Sequence, residues 1–378
     1  MEVTHITAMI PTVINHTLPE LKHATGNAVL SVESTAALRQ FTHQRLMGYG
    51  VEYGDATRVR QAVEAGVDWM EACVRVADGV LAEPTVQLPS GDAYTRRDNG
   101  RLYRASALLR MAQMMMLKDT ETRVLLYRRA SQLFAIALGE NPGWSRLLIP
   151  TDSGTLVAWG LPSNQGDYRK VVVAIGGVEG WAMDAEPTVQ GMQERGFALL
   201  LIDGPGQGES RFEFQTSLSL RWKSDVSKVI DFLVEEKGAA IIGMLGNSMG
   251  GNFAMQYASY DPRIAACCNN GGLLWPLAQK DRASFFSKMS AFCSEGTDVL
   301  GIWDSIEMRP EGLTFRCPFL IVQGGADSLV SVDDATQMLE WSVSEDKQMH
   351  VFHDSVHCIY DKPADKVELI ADWFGSRM

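Results

Sequence analysis

The sequence is poor in the features that mark most specialised classes of protein. Six cysteines in 378 residues are too few for a disulfide framework. None pairs with a histidine at zinc-binding spacing, so no metal is expected. Lys and Arg number 34 against 46 Asp and Glu, a formal net charge of −12. With no basic run besides, a nucleic-acid partner is not expected. No apolar run reaches the roughly 18 residues of a membrane span. The start, Met1-Glu-Val-Thr-His-Ile-Thr, lacks the charged-then-apolar layout of a signal peptide, so a cytoplasmic location is expected. The turn Asp203-Gly-Pro-Gly-Gln-Gly-Glu-Ser210 lacks the glycine spacing and the Lys-Ser/Thr of a phosphate loop. A proline interrupts it and no helix is expected to start promptly after it, so it reads as a strand-ending turn and no cofactor is expected.

What is present is apolar residue, 46% of the chain, enough for a sizeable core. Residues from about 30 to 140 have a helical pattern. One helix is expected from Ser34 to Met47. A second, capped by Asp55, is expected to run to about Leu81, with Val59, Val63, Val67, Met70, Val74 and Ala77 at spacings of three and four, and to stop at Pro84. Two more follow, Arg101 to Leu117 and Thr120 to Leu138. Met114-Met-Met116 reads as core by default.

After Asn141-Pro-Gly143 the pattern changes, placing a domain boundary between 142 and 143. Paired strands Ser145–Ile149 and Gly154–Gly160 are followed by alternating apolar strands and helices. Such alternation implies a mostly parallel sheet covered on both faces, with the active site at the carboxyl ends of its strands.

Gly246-Asn-Ser-Met-Gly250 lies between an apolar strand and a helix. Strand, tight turn and helix with serine at the tip form a nucleophile elbow, and the flanking glycines let the two backbones approach. Ser248 is therefore the candidate nucleophile, and the Met249 N–H is a candidate oxyanion donor. A serine hydroxyl needs a base, and the base an orienting acid. Asp327 follows the strand Pro318–Gln323, and His357 lies in the loop before the last helix. His350 and His353 sit on or at the end of a strand, Asp333 and Asp334 start a helix, and Asp304 follows no strand, so these are weaker candidates. The second oxyanion donor is expected from Gly176-Gly-Val-Glu-Gly180, at Val178 N–H or, one residue on, Glu179 N–H. Glu179 reads either as a solvated loop residue or as a carboxyl holding a substrate group or the loop; if buried, it would keep its proton and donate it. Gly177, Trp181, Trp275 and Trp69 are candidates to line a closed apolar pocket under the helices, though core packing explains each tryptophan as well.

These residues resemble the α/β-hydrolase superfamily over about 145–378, on the elbow, the 203–210 turn, Gly324-Gly-Ala-Asp327 and the late His357. The preceding helical block, with Gly176-Gly-Val-Glu-Gly180, Gly246-Asn-Ser-Met-Gly-Gly251 and Val356-His-Cys358, resembles the FrsA-like branch. That resemblance implies an α/β-hydrolase domain at 143–378 under a helical N-terminal segment and cap at 1–142, a homodimer, and cleavage of a carbon–carbon bond next to a ketone. It also implies that Glu179 takes part beside the triad. The expected substrate is a small ketone or ester of aromatic or polyketide type. A carboxylesterase, thioesterase or lactonase would use the same triad. A non-hydrolytic cyclase, or a binding protein on this scaffold, is the remaining reading.

Overall fold

The computed structural model describes residues 30–83, 91–139 and 143–378. The expected stop at Pro84 and residues 141–142 of the domain junction lie outside these. Helices α1 (Val32–Gln40), α2 (His43–Gly48), α3 (Tyr53–Glu64), α4 (Trp69–Leu81), α5 (Gly91–Ala112) and α6 (Glu121–Gly139) form the N-terminal region. Two helices expected to be continuous are each broken once. Ser31 and Thr42 accept hydrogen bonds from Ser34 and Arg45 N–H, capping α1 and α2 separately. Gly66, at φ 95°, turns the chain between α3 and α4 in a conformation that favours glycine. Asp55 is no cap: it is buried in the first turn of α3, where Arg104 and Arg58 pair with it.

The remainder holds eight strands, β1 (Ser145–Thr151), β2 (Gly154–Leu161), β3 (Lys170–Ile175), β4 (Ala198–Asp203), β5 (Ile241–Asn247), β6 (Ile264–Asn270), β7 (Phe319–Gly324) and β8 (Lys347–Phe352). Its helices are α7 (Val189–Glu194), α8 (Gly208–Phe212), α9 (Trp222–Glu235), α10 (Met249–Tyr260), α11 (Ala283–Phe292), α12 (Val299–Asp304), α13 (Val332–Trp341) and α14 (Pro363–Gly375). The strands form one sheet in the order β1-β2-β4-β3-β5-β6-β7-β8. β1, β2 and β4 pair antiparallel, and β4 through β8 are parallel. This is the α/β-hydrolase fold. The short α8 corrects the expectation that no helix starts promptly after the 203–207 turn.

Alternate residues of the central strands face opposite cores. Val171, Val173 and Ile175 pack with α9 and α10 on one face. Val172, Ala174, Leu199 and Leu201 join α7 and α14 on the other, and that cluster continues without a break into α1–α6. Among the described residues no helix is long and apolar enough to cross a membrane.

Candidate active site

Strand β5 enters the elbow and α10 leaves it. A Cβ on Gly250 would collide with the Ile175 carbonyl oxygen, so only glycine lets helix and sheet meet here. Ser248, at the tip, has φ 56° and ψ −128°, a strained conformation for a residue with a side chain. Its N–H donates to Asn270 O at 2.9 Å, which ties the elbow to the end of β6.

His357 Nε2 lies 2.9 Å from Ser248 Oγ, and His357 Nδ1 lies 2.7 Å from Asp327 Oδ2. The structure thus brings together three residues spread over 109 positions. Asp327 cannot swing away, since its Oδ1 accepts from Leu329 N at 2.8 Å and Val330 N at 3.2 Å. Burial works to raise its carboxyl, but hydrogen bonds from His357 and these two N–H groups hold it below its ordinary value. Burial of His357 disfavours the imidazolium, while contacts with Cys358 and Asp327 favour it, and the balance is upward. Cys358 Sγ donates to Asn270 O at 3.4 Å beside it. The loop is held in an unusual path. Cys358 and Ile359 have φ 55° and 51°, and Lys366 Nζ donates to Cys358 O at 3.0 Å. His353 is exposed at the end of β8, Asp334 completes the cap of α13, and Asp304 pairs with Arg309 on the surface.

The loop after β3 passes directly over the nucleophile. A Cβ on Gly177 would lie 2.8 Å from Ser248 Cβ and 3.1 Å from Ser248 Oγ. Val178 follows, partly buried against the α10 side of the sheet, and Met249 opens α10 from the other side. Glu179 is largely buried and paired with basic side chains. Arg123 Nη2 of α6 binds its Oε2 at 2.8 Å, and Lys288 Nζ of α11 lies 3.8 Å from its Oε1. Burial pulls the Lys288 amine below its ordinary value and Glu179 opposes this. The surroundings of the loop are therefore charged rather than apolar.

Two tryptophans proposed as pocket lining belong to the interior. Trp69 stacks on Phe41 at 5.0 Å between centroids and donates to Met111 O at 2.9 Å, inside the helical region. Trp181 packs edge-on against Tyr127 at 4.5 Å, where α6 meets the sheet. Trp275 is partly exposed, sits edge-on to Trp341 and lines a small cleft with Leu329, Val330 and Asp334 beside the Asp327 loop. Met114 is core. Among the described residues no three His, Cys, Asp or Glu side chains gather as metal ligands.

The sequence marked the turn after β4 as a strand end and a family motif but assigned no role to Gln207. Gln207 Nε2 donates to both Gly176 O and Gly177 O, each at 2.9 Å. Asp203 accepts from Ala182 N at 2.7 Å and Glu209 N at 2.9 Å, and Tyr127 of α6 donates to it at 3.2 Å. The only hint in the sequence was the density of glycine around a single amide side chain.

A family profile described as "Serine aminopeptidase, S33" matches residues 166–295. The 2,6-dihydropseudooxynicotine hydrolase of Paenarthrobacter nicotinovorans is 26% identical over 341 residues, covering 87% of this chain and 89% of its own. Hydrolyase poxO of Penicillium oxalicum is 28% identical over 245 residues, 57% of this chain and 56% of its own. The crystal structure of the 2,6-dihydroxy-pseudo-oxynicotine hydrolase superposes with a TM-score of 0.75 at 22% identity, over 89% of this chain and 95% of that one. The match to the Paenarthrobacter hydrolase, at 87% of this chain, takes in part of the helical region as well as the sheet.

Proposed function

We propose, starting from a chain that is a hydrolase of the α/β-hydrolase fold, that it cleaves a carbon–carbon bond next to a ketone in an aromatic or polyketide-like small molecule. The observation that carries the chemistry is the bridge made by His357, 2.9 Å from Ser248 Oγ and 2.7 Å from Asp327 Oδ2. His357 Nε2 takes the hydroxyl proton as Ser248 Oγ adds to the ketone carbon, and Asp327 holds the imidazolium. The oxyanion is received by Met249 N–H and the 176–180 loop. As the carbonyl re-forms, the carbon–carbon bond breaks and its electron pair leaves as an enol or stabilised carbanion. That carbon takes its proton from the His357 imidazolium. Water, deprotonated by His357, then releases the acyl group from Ser248. Glu179, held by Arg123 and facing Lys288, carries no proton step in this scheme; it anchors the oxyanion loop to the helical cap.

The choice of a ketone over an ester is supported by the relatives that share both the cap and the sheet. A fluorophosphonate probe should label the wild type and fail to label Ser248→Ala. The same substitution should lower kcat by about four orders of magnitude or more with the fold intact. Assays on acyl-aromatic ketones beside simple esters then decide the bond. Turnover of esters alone would remove the carbon–carbon reading and leave a serine esterase.

A further inference from the structure

We propose that Gln207 is the positioning residue of the oxyanion loop: its carboxamide locks the two peptide planes after Gly176 and Gly177, so that their N–H groups stand ready for the oxyanion. The proposal rests on the reading of Ser248 as the nucleophile.

The geometry is specific. Gln207 is 3% exposed and begins α8 at the end of the Asp203 turn. Its Nε2 donates to the carbonyls of Gly176 and Gly177, both at 2.9 Å, and its Oε1 accepts from Gly204 N at 3.0 Å. Every polar atom of the amide is thus matched to a partner of the opposite kind, which fixes its orientation. In a planar trans peptide the carbonyl and the following N–H point in opposite directions. Holding the carbonyls of Gly176 and Gly177 toward Gln207 turns the N–H groups of Gly177 and Val178 away from it. Gly177 itself lies against the nucleophile, within 2.8 Å of Ser248 Cβ for an added Cβ. Gly177 O also accepts from Gly180 N at 3.2 Å, so the carboxamide matters most for Gly176 O; without it the two glycines make a flip of these peptides easier. The flip would present two carbonyl oxygens to the growing negative charge.

Preorganised donors act because they need no reorganisation as charge develops. Gln207 is buried and acts through the loop carbonyls, so its effect is expected in the transition state more than in binding. In Gln207→Leu, kcat for a p-nitrophenyl ester, per active site counted by burst titration, should fall about 10- to 100-fold, with KM changed less than about three-fold. Affinity for an aryl trifluoromethyl ketone, whose hemiketal mimics the oxyanion, should fall in parallel with kcat/KM. Gln207→Glu sets an acceptor against two carbonyls and should lose at least as much. A purely structural role would lower Tm and the number of active sites but leave kcat per site unchanged, and that result overturns the proposal. Should neither variant fold, the wild type soaked with the trifluoromethyl ketone decides. The hemiketal oxygen is expected within hydrogen-bond distance of Val178 N, and an oxygen turned away from the 176–178 peptides overturns the assignment. A wild type that no fluorophosphonate labels would instead bring down the nucleophile reading, and this proposal with it.

Discussion

A methyl group on Gly177 would meet Ser248 Cβ at 2.8 Å, closer than side-chain carbons approach one another. Either the loop or the nucleophile must then move by some tenths of an ångström. Misplacing reacting groups on that scale costs catalysis far more than stability. Gly177→Ala should therefore lower kcat/KM for an ester about 100-fold while shifting Tm by only a few degrees. Steady-state kinetics beside a thermal melt checks this, and unchanged kinetics would mean that the loop does not lie over Ser248. At this scale the hydrogen-bonded set of Ser248, His357 and Asp327 was legible in the sequence. The strand–turn–helix elbow exposes one serine, and an acid and a histidine follow at later strand ends in the expected order. Glu179 was legible as a position but its partners were not, because Arg123 is 56 residues away and Lys288 more than 100.

At the scale of elements, α6 reaches the oxyanion loop and the β4 turn through Arg123 and Tyr127. Arg123 is 2% exposed and Glu179 12%, so Arg123→Ala leaves the Glu179 carboxyl in a poorly solvated site without its 2.8 Å partner. Breaking a buried pair by removing one partner costs about 3 kcal/mol or more. Urea denaturation should show that loss, and Arg123→Met combined with Glu179→Gln should lose less than the sum of the two single changes. The β4 turn has its own pH signature. Burial pushes the Asp203 carboxyl up to about 7, against two backbone N–H groups that pull it down. The folded state therefore keeps a proton that the unfolded chain releases near 3.8. Stability from this group is fully present below about pH 4 and is lost as pH rises through 7. Relative to Asp203→Asn, the Tm of the wild type should fall across that window. A constant difference between the two would show that Asp203 does not titrate there. Neither effect could be read from the helical periodicity of α6, which marks the buried face but not what lies opposite.

For the whole molecule, the decisive feature is that α1–α6 and one face of the sheet share a hydrophobic cluster. Arg110 pairs with Asp184 at 2.9 Å, Asp119 with Arg211 at 3.1 Å and Arg128 with Glu213 at 2.6 Å across the same boundary. A division at 142/143 is a change of local pattern, and we propose it as a division of roles rather than of folding units. Calorimetry should accordingly show one cooperative transition. Two well-separated transitions, one of them retained in a fragment lacking residues 1–142, would show that the cap folds independently. The helix breaks at Phe41-Thr42 and at Gly66 escaped the sequence for a physical reason. A gap of a few residues barely disturbs a 3.6-residue apolar period, so two short helices read as one long one. The tryptophans escaped it differently, since a large apolar side chain suits a core and a pocket equally well.

The sequence by itself determined the alternating strands and helices, the elbow and the succession Ser248, Asp327, His357. Steric exclusion and side-chain periodicity act between near neighbours in the chain, so residue type alone records them. Only the tertiary structure decided that Glu179 is anchored by Arg123, that Trp69 and Trp181 are core, and that Gln207 grips the loop over Ser248. Those outcomes depend on which groups meet across tens of residues. Charge pairing, burial and the direction of a peptide plane belong to that meeting and not to the residue.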